Sequence, residues 1–249
     1  MPDEFAGKRV LITGGGTGVG ADMARAFAAS GAEVVIAGRR LAALEAVCAT
    51  APRIRAVQAD VTDEASVKAM FADAGPCDIV IANAGAADSA PFGKMSLDHW
   101  NQMLAVNLTG TFLTFREALA SMPAPGGRLI AIASVAGLRG YPYIAAYAAA
   151  KHGVVGLVRA LGDEVAAKGI TVNAICPGYL DTEMTERSVA NITAKTGKSA
   201  AEARAVLEGV SPQKRLFDPA EVSATALWLA GEAARGVNGQ TIAISGGSP

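Results

Sequence analysis

The stretch RVLITGGGTGVGADMARAFAAS, residues 9–30, decides the fold. Val10, Leu11 and Ile12 make a short continuous apolar run, the pattern of a strand buried on both faces. The run stops at a cluster of glycines, and an alanine-rich helical pattern follows. Strand, glycine loop and helix in that order open a βαβ unit. Gly14, Gly18 and Gly20 allow a sharp turn and a close backbone approach to a pyrophosphate, whose charge the helix N-terminus then meets. With Gly16, Thr17 and Val19 they form a candidate dinucleotide loop. The spacing G-x-x-x-G-x-G departs from the commoner G-x-G-x-x-G.

Outward from this unit the same alternation repeats. EVVIA (33–37), IRAVQAD (54–60), DIVIANAG (78–85), GRLIAIAS (127–134), ITVNAICPG (170–178) and GQTIAIS (239–245) each read as a strand. Helical patterns stand between nearly all of them, among them one long run from Leu97 to Met122 and another from Tyr147 to Ala167. Seven apolar strands separated by helices predict an α/β fold, a doubly wound parallel sheet with helices on both faces. No linker-like shift in composition interrupts the 249 residues, which read as one domain. Residues 179–218 carry most of the polar residues of the last third and are expected to overhang a ligand crevice as a substrate lid, with two short helices.

Composition narrows the function classes. Hydrophobic residues make up 51% and charged residues 18%, which suits a well-packed globular chain. A net charge of −1 gives no footprint for nucleic acid or an anionic membrane. No stretch reaches the ~18 apolar residues of a membrane span, and the first residues lack an export pattern. Cys48, Cys77 and Cys176 are scattered, without metal-ligand spacing, and read as reduced thiols. The expectation is a soluble cytoplasmic protein with no metal.

The end of the second strand bears on cofactor choice. Where a carboxylate would bind a ribose diol, Gly38 stands, followed by Arg39 and Arg40. Forked guanidinium donors suit a 2′-phosphate, so Arg39 points to NADP(H) over NAD(H), which remains possible because Thr17 is neutral. The alternative for both arginines is a solvated helix start. Asp60, followed by Val61, closes the third strand either as an acceptor for the adenine amine or as a turn aspartate. Asn83, Ala84 and Gly85 end the fourth strand with small residues where a cofactor would lie flat.

Chemistry concentrates in YIAAYAAAKHG, residues 143–153. In a helix Tyr143, Tyr147 and Lys151 would stack on one face. Only Tyr147 has a lysine four residues on, with Ser134 thirteen residues before it. These motifs resemble the short-chain dehydrogenase/reductase family, in its branch with a TGxxxGxG loop. The similarity runs through Gly14, Gly18, Gly20, ANAG at 82–85, Asn107, Ser134, Tyr147, Lys151, Pro177, Gly178 and Thr182, and covers almost the whole chain.

The resemblance implies a Rossmann-like fold and the transfer of a hydride between NADP(H) and a ketone or secondary alcohol, a 3-oxoacyl or related carbonyl. Tyr147 would be the acid in reduction and the base in oxidation. Lys151 and an oxidised nicotinamide would lower its pKa from ~10. Lys151 would hold the nicotinamide ribose, Ser134 would orient the substrate oxygen, and Asn107 would hold a water linking Lys151 to solvent. Thr182 would meet the carboxamide, and the family's tetramer is the expected assembly. Lys195, Lys198, Lys214 and Arg215 offer charge to an anionic carrier such as coenzyme A, or merely solvate the lid. Tyr143 lines the pocket or packs in its loop, while His99 and His152 are surface or packing residues. Cys176 is expected to be a small buried hydrophobe, and Ser245, where relatives often carry aspartate, to bear on end-of-chain packing. NAD-linked oxidation of a secondary alcohol or 3-hydroxyacyl-CoA is the alternative activity. A silent cofactor-binding sensor is a remoter one.

Overall fold

A computed structural model describes residues 3–248. Its centre is one sheet of seven parallel strands: β1 (Arg9–Thr13), β2 (Glu33–Gly38), β3 (Ile54–Gln58), β4 (Ile79–Ala82), β5 (Arg128–Ile132), β6 (Thr171–Pro177) and β7 (Thr241–Ile244). Their order across the sheet is β3-β2-β1-β4-β5-β6-β7. The chain therefore winds one way from β1 to β3, then returns past β1 and winds the other way. A crevice opens beyond the carboxyl ends of β1 and β4, where the two directions part.

Alternate strand residues enter two apolar layers because side chains alternate across a strand. Val10, Ile12, Val34, Ile36, Ile81 and Ile175 pack on one face with Phe27, Val222 and Leu229. The last three belong to α1 (Gly18–Ala29) and α9 (Pro219–Ala230). Leu11, Val35, Val80, Leu129 and Val172 pack on the other face with Phe71, Phe115 and Val158. These come from α3 (Glu64–Ala74), α5 (Gly110–Ser121) and α6 (Ala145–Val165). The shorter α2 is Leu41–Cys48.

One helical expectation is corrected. The run from Leu97 to Met122 is not one regular helix: α4 (Leu97–Leu104) passes through a π-helical turn at Ala105–Thr109 before α5 begins. Asn107 sits in that turn with its amide tied to Ala86 of the β4–α4 loop, so the widened turn faces the crevice. Tyr143 is not on the helix at all, since α6 starts at Ala145. The lid region forms α7 (Glu183–Thr196) and α8 (Ala200–Glu208). Its two ends meet through Phe217, whose N–H donates to the Tyr179 carbonyl and whose carbonyl accepts from the Asp181 N–H, both at 2.9 Å.

Candidate active site

The glycine loop is built as tightly as its spacing implies. A Cβ on Gly20 would collide with the Gly14 carbonyl, and one on Gly14 would stand 2.9 Å from the Ala84 Cα and the Asn83 amide. Gly14 and Gly18 hold φ of +67° and +52°, a region that favours glycine. Thr17 caps α1 without any side-chain hydrogen bond, and no acidic residue stands in the first turn. The helix N-terminus thus presents unsatisfied N–H groups to the crevice, the electrostatics an anionic pyrophosphate requires. Gly16 closes on Ala43 and Leu44, and Val19 is buried.

Thr13, which the sequence reading passed over, fixes this loop against β4. Its hydroxyl is buried and accepts from the Asn83 and Ala84 N–H groups, both at 3.1 Å. The Asn83 amide in turn donates to the carbonyls of Thr13 (2.9 Å) and Gly14 (3.1 Å). Asn83 is therefore spent on joining loop to strand, leaving Ala84 and Gly85 as the small surface expected there. A threonine ending a strand gives no sequence signal of such a role.

Arg39 and Arg40 are both exposed at the end of β2. It is Arg40 that reaches the glycine loop, its guanidinium 3.5 Å from the Thr17 hydroxyl. Asp60 makes the turn expected as its alternative role, one carboxylate oxygen accepting from the Thr62 N–H (2.9 Å) and hydroxyl (2.8 Å). The Thr62 backbone bond, more than the nearby Arg39 charge, holds that carboxyl below its usual range. Val61 is buried against Gly110.

At the carboxyl ends of β5 and β6 the four expected chemical residues lie close to one another. Ser134 caps a short 3₁₀ turn at Val135–Gly137, its hydroxyl accepting from the Ala136 N–H at 3.1 Å. The same hydroxyl lies 3.5 Å from the Pro177 carbonyl. Tyr147 and Lys151 occupy successive turns of α6, with the Lys151 ammonium 5.7 Å from the Tyr147 ring centre. Lys151 is buried and donates to the Ile132 carbonyl at 2.8 Å. Asn107 is fully buried, its amide donating to the carbonyls of Ala86 and Met103. Its Oδ1 and the Lys151 Nζ both face Gly85, where a Cβ would stand 2.8 Å from one and 3.7 Å from the other.

Among the protein's own groups, burial pushes the Tyr147 phenol up to about 12, and the Ser134 hydroxyl only partly offsets this. The same burial brings Lys151 down to about 8, since desolvation penalises whichever form is charged. Cys176 is fully buried and pushed up to about 11, the inert small hydrophobe expected.

Thr182 caps α7 with no side-chain hydrogen bond, and its Cγ2 is 3.5 Å from where a Gly18 Cβ would stand. The lid thus reaches back over the glycine loop. Pro177 ends β6, and the Gly178 N–H donates to Ile244 at 2.9 Å. Tyr143 is mostly exposed in a left-handed backbone conformation, so it does not pack within its loop. His152 is exposed, its Nδ1 2.9 Å from the Ala148 carbonyl, while His99 is largely covered with Nε2 3.9 Å from an Asp88 oxygen. The Ser211 hydroxyl donates to the Ser245 carbonyl at 3.3 Å and the Ser245 hydroxyl to Ser248, the end-of-chain packing foreseen. Of the four cations considered for a carrier, Lys214 donates to the Gly209 carbonyl, and Arg215 forms a two-pronged pair with Glu221 at 2.6 and 2.9 Å.

A glycine-loop crevice joined to a Ser-Tyr-Lys cluster is the arrangement the resemblance implied, and the family model described as short chain dehydrogenase matches residues 8–193. The chain belongs to the short-chain dehydrogenase family. It is 36% identical to a 3beta-hydroxysteroid dehydrogenase of Mediterraneibacter gnavus, over 98% of this chain and 95% of that one. It is 34% identical to a D-beta-hydroxybutyrate dehydrogenase of Rhizobium meliloti, over 96% and 98%. Among solved structures, a variant of actinorhodin polyketide ketoreductase with NADPH superposes with a TM-score of 0.90 at 30% identity, covering 99% and 98%. This short-chain dehydrogenase is accordingly an NAD(P)-binding oxidoreductase acting on hydroxyl or keto groups. Among its described residues no helix is long and apolar enough to cross a membrane.

Proposed function

We propose that this short-chain dehydrogenase is an NADP(H)-dependent reductase of a ketone, a 3-oxoacyl or related carbonyl group, and in reverse oxidises the corresponding secondary alcohol with NADP+ as hydride acceptor. The observation that carries the reading is the convergence of an uncapped helix N-terminus with buried Lys151 and half-buried Tyr147 on one crevice. Gly14, Gly16, Thr17, Gly18, Val19 and Gly20 cradle the pyrophosphate, and Arg39 with Arg40 takes the ribose phosphate. Asp60 and Val61 border the adenine. Asn83 holds the floor formed by Ala84 and Gly85, and Pro177, Gly178 and Thr182 border the nicotinamide. The bound nicotinamide supplies or accepts the hydride.

The protein's own groups manage the proton. Tyr147 keeps its proton throughout the physiological range because burial disfavours the phenolate. It is thus ready as the acid that protonates a carbonyl oxygen, which Ser134 orients by hydrogen bonding. Lys151 holds the ribose and, with an ammonium titrating near 8, exchanges protons close to neutral pH. Asn107 fixes the Ala86 backbone at the point where Lys151 would meet a water, the relay expected from sequence.

A second reading, NAD-linked alcohol oxidation, draws on the dehydrogenase names of the relatives and the neutral Thr17. Initial rates with NADPH and NADH, for the native protein and for Arg39→Ala and Arg40→Ala, separate the two. NADPH preference that collapses in either variant supports the proposal; preference for NADH in the native protein refutes it. The family's homotetramer is proposed as the assembly: Leu97 on α4, Phe112 on α5 and Trp228 on α9 expose large apolar side chains to solvent. Light scattering of the purified chain tests it.

A further inference from the structure

Three more exposed apolar side chains stand on the β4–α4 loop, just before α6 and at the start of α7. Phe92, in the β4–α4 loop, is 76% exposed, Tyr143, just before α6, is 65% exposed, and Met184, in the first turn of α7, is 43% exposed. Backbone and side-chain bonds bring these segments together. The Ala90 N–H donates to the Tyr143 carbonyl at 2.8 Å, and the Asn191 amide of α7 donates to the Ser89 hydroxyl at 3.3 Å. Met184 lies two residues beyond Thr182, the residue set over the glycine loop. Tyr143 holds φ +68°, a conformation costing a bulky residue on the order of 1–3 kcal/mol.

Charge around the mouth argues against an anionic carrier. Arg204 of α8 is bound by Asp181 (2.7 Å), Glu186 (2.9 Å) and Glu208 (3.2 Å). Arg215 is held by Glu221, Arg139 stacks on the Tyr141 ring at 4.6 Å, and Arg187 pairs with Glu183 at 3.6 Å. Lys195 stands at the end of α7 away from Thr182 and Lys198 just beyond it, while Lys94, two residues from Phe92, shares its loop with Asp88.

We propose that Phe92, Tyr143 and Met184 form an apolar lip that selects a bulky, uncharged, ring-bearing ketone over a coenzyme A thioester. The assignment rests on the reductase reading. Flat aromatic walls and a flexible thioether gain most from covering a large apolar surface, and a charged carrier would leave that surface exposed to water.

The test measures NADPH-dependent reduction of 2-tetralone, ethyl acetoacetate and acetoacetyl-CoA by the native protein and by Phe92→Ser and Met184→Ser. Tyr143→Asn is added because asparagine tolerates the left-handed backbone. The native protein should favour 2-tetralone over acetoacetyl-CoA by at least about tenfold in kcat/KM. Each lip variant should raise KM for 2-tetralone several-fold, roughly tenfold at Phe92, from lost apolar contact. Its kcat, and its KM for ethyl acetoacetate, should stay within about twofold. Preference for acetoacetyl-CoA or ethyl acetoacetate overturns the lip while leaving the reductase reading intact. So do variants that affect both small substrates alike, or that change the assembly by light scattering. Absence of turnover on all three ketones overturns both.

Discussion

Replacing Thr13 by valine removes one oxygen and almost nothing else, since the two side chains have nearly the same shape. The hydroxyl is 1% exposed with its residue and accepts from two backbone donors, the Asn83 and Ala84 N–H groups, each at 3.1 Å. A buried donor left without a partner costs about 1–3 kcal/mol. Two of them, with some relief from local relaxation, cost about 2–5 kcal/mol, a large share of the roughly 5–15 kcal/mol that stabilises a typical protein. A chain of this size loses about 2–4 °C in Tm per kcal/mol, so Thr13→Val should melt roughly 5–15 °C below the native protein. Because the freed groups also hold Ala84 and the glycine loop, NADPH should stabilise the variant less than it stabilises the native chain. Thermal unfolding followed by circular dichroism, with and without NADPH, reads both effects. Thr13→Ser, which keeps the oxygen and loses a methyl group, should fall much less, by about 1 kcal/mol. The reasoning fails if Thr13→Val melts within a degree or two of the native protein, or if the serine variant is the less stable of the two.

Tyr147→Phe should bind NADPH normally and lose on the order of 10²–10⁴-fold in turnover, checked by cofactor fluorescence and steady-state rates. Lys151→Met should abolish activity yet raise Tm at pH 7. The buried ammonium has its pKa lowered to about 8, so the native state carries a cost of up to about 3 kcal/mol wherever that group is charged. Some of the gain is offset by the Ile132 carbonyl losing its donor. The advantage of the variant should shrink as pH rises from about 8 towards 10.5, a range best scanned below 10, because the raised Tyr147 phenol makes native stability fall above that point. Arg204→Ala, which unties three carboxylates at the surface, should lower Tm only slightly, because solvent screens such pairs. It should raise the KM for NADPH more than it lowers kcat, because Asp181 adjoins Thr182; equal KM values in the two proteins would show that the Arg204–Asp181 pair does not position Thr182.

The sequence by itself determined the architecture and the chemical cast. Apolar runs such as VLI at 10–12 and VVI at 34–36 can be buried on both faces only in a sheet covered by helices, and Gly14, Gly18 and Gly20 with Tyr147 and Lys151 carry the family resemblance from which the crevice and the proposed proton donor follow. These are local signals, written in periodicity and in residue types with few substitutes. What the tertiary structure decided are the effects that arise between segments distant in the chain. Thr13 became the anchor of β4 only because the strand order sets β1 beside β4, and Arg40 rather than Arg39 reached Thr17 because α2 begins at that point of the loop. The upward shift of the Tyr147 phenol among the protein's own groups depends on burial, which no spacing reports. The Arg204 cluster likewise exists only once residues 181–208 have folded together, since contacts between residues so far apart in sequence are fixed by packing and leave no periodic trace.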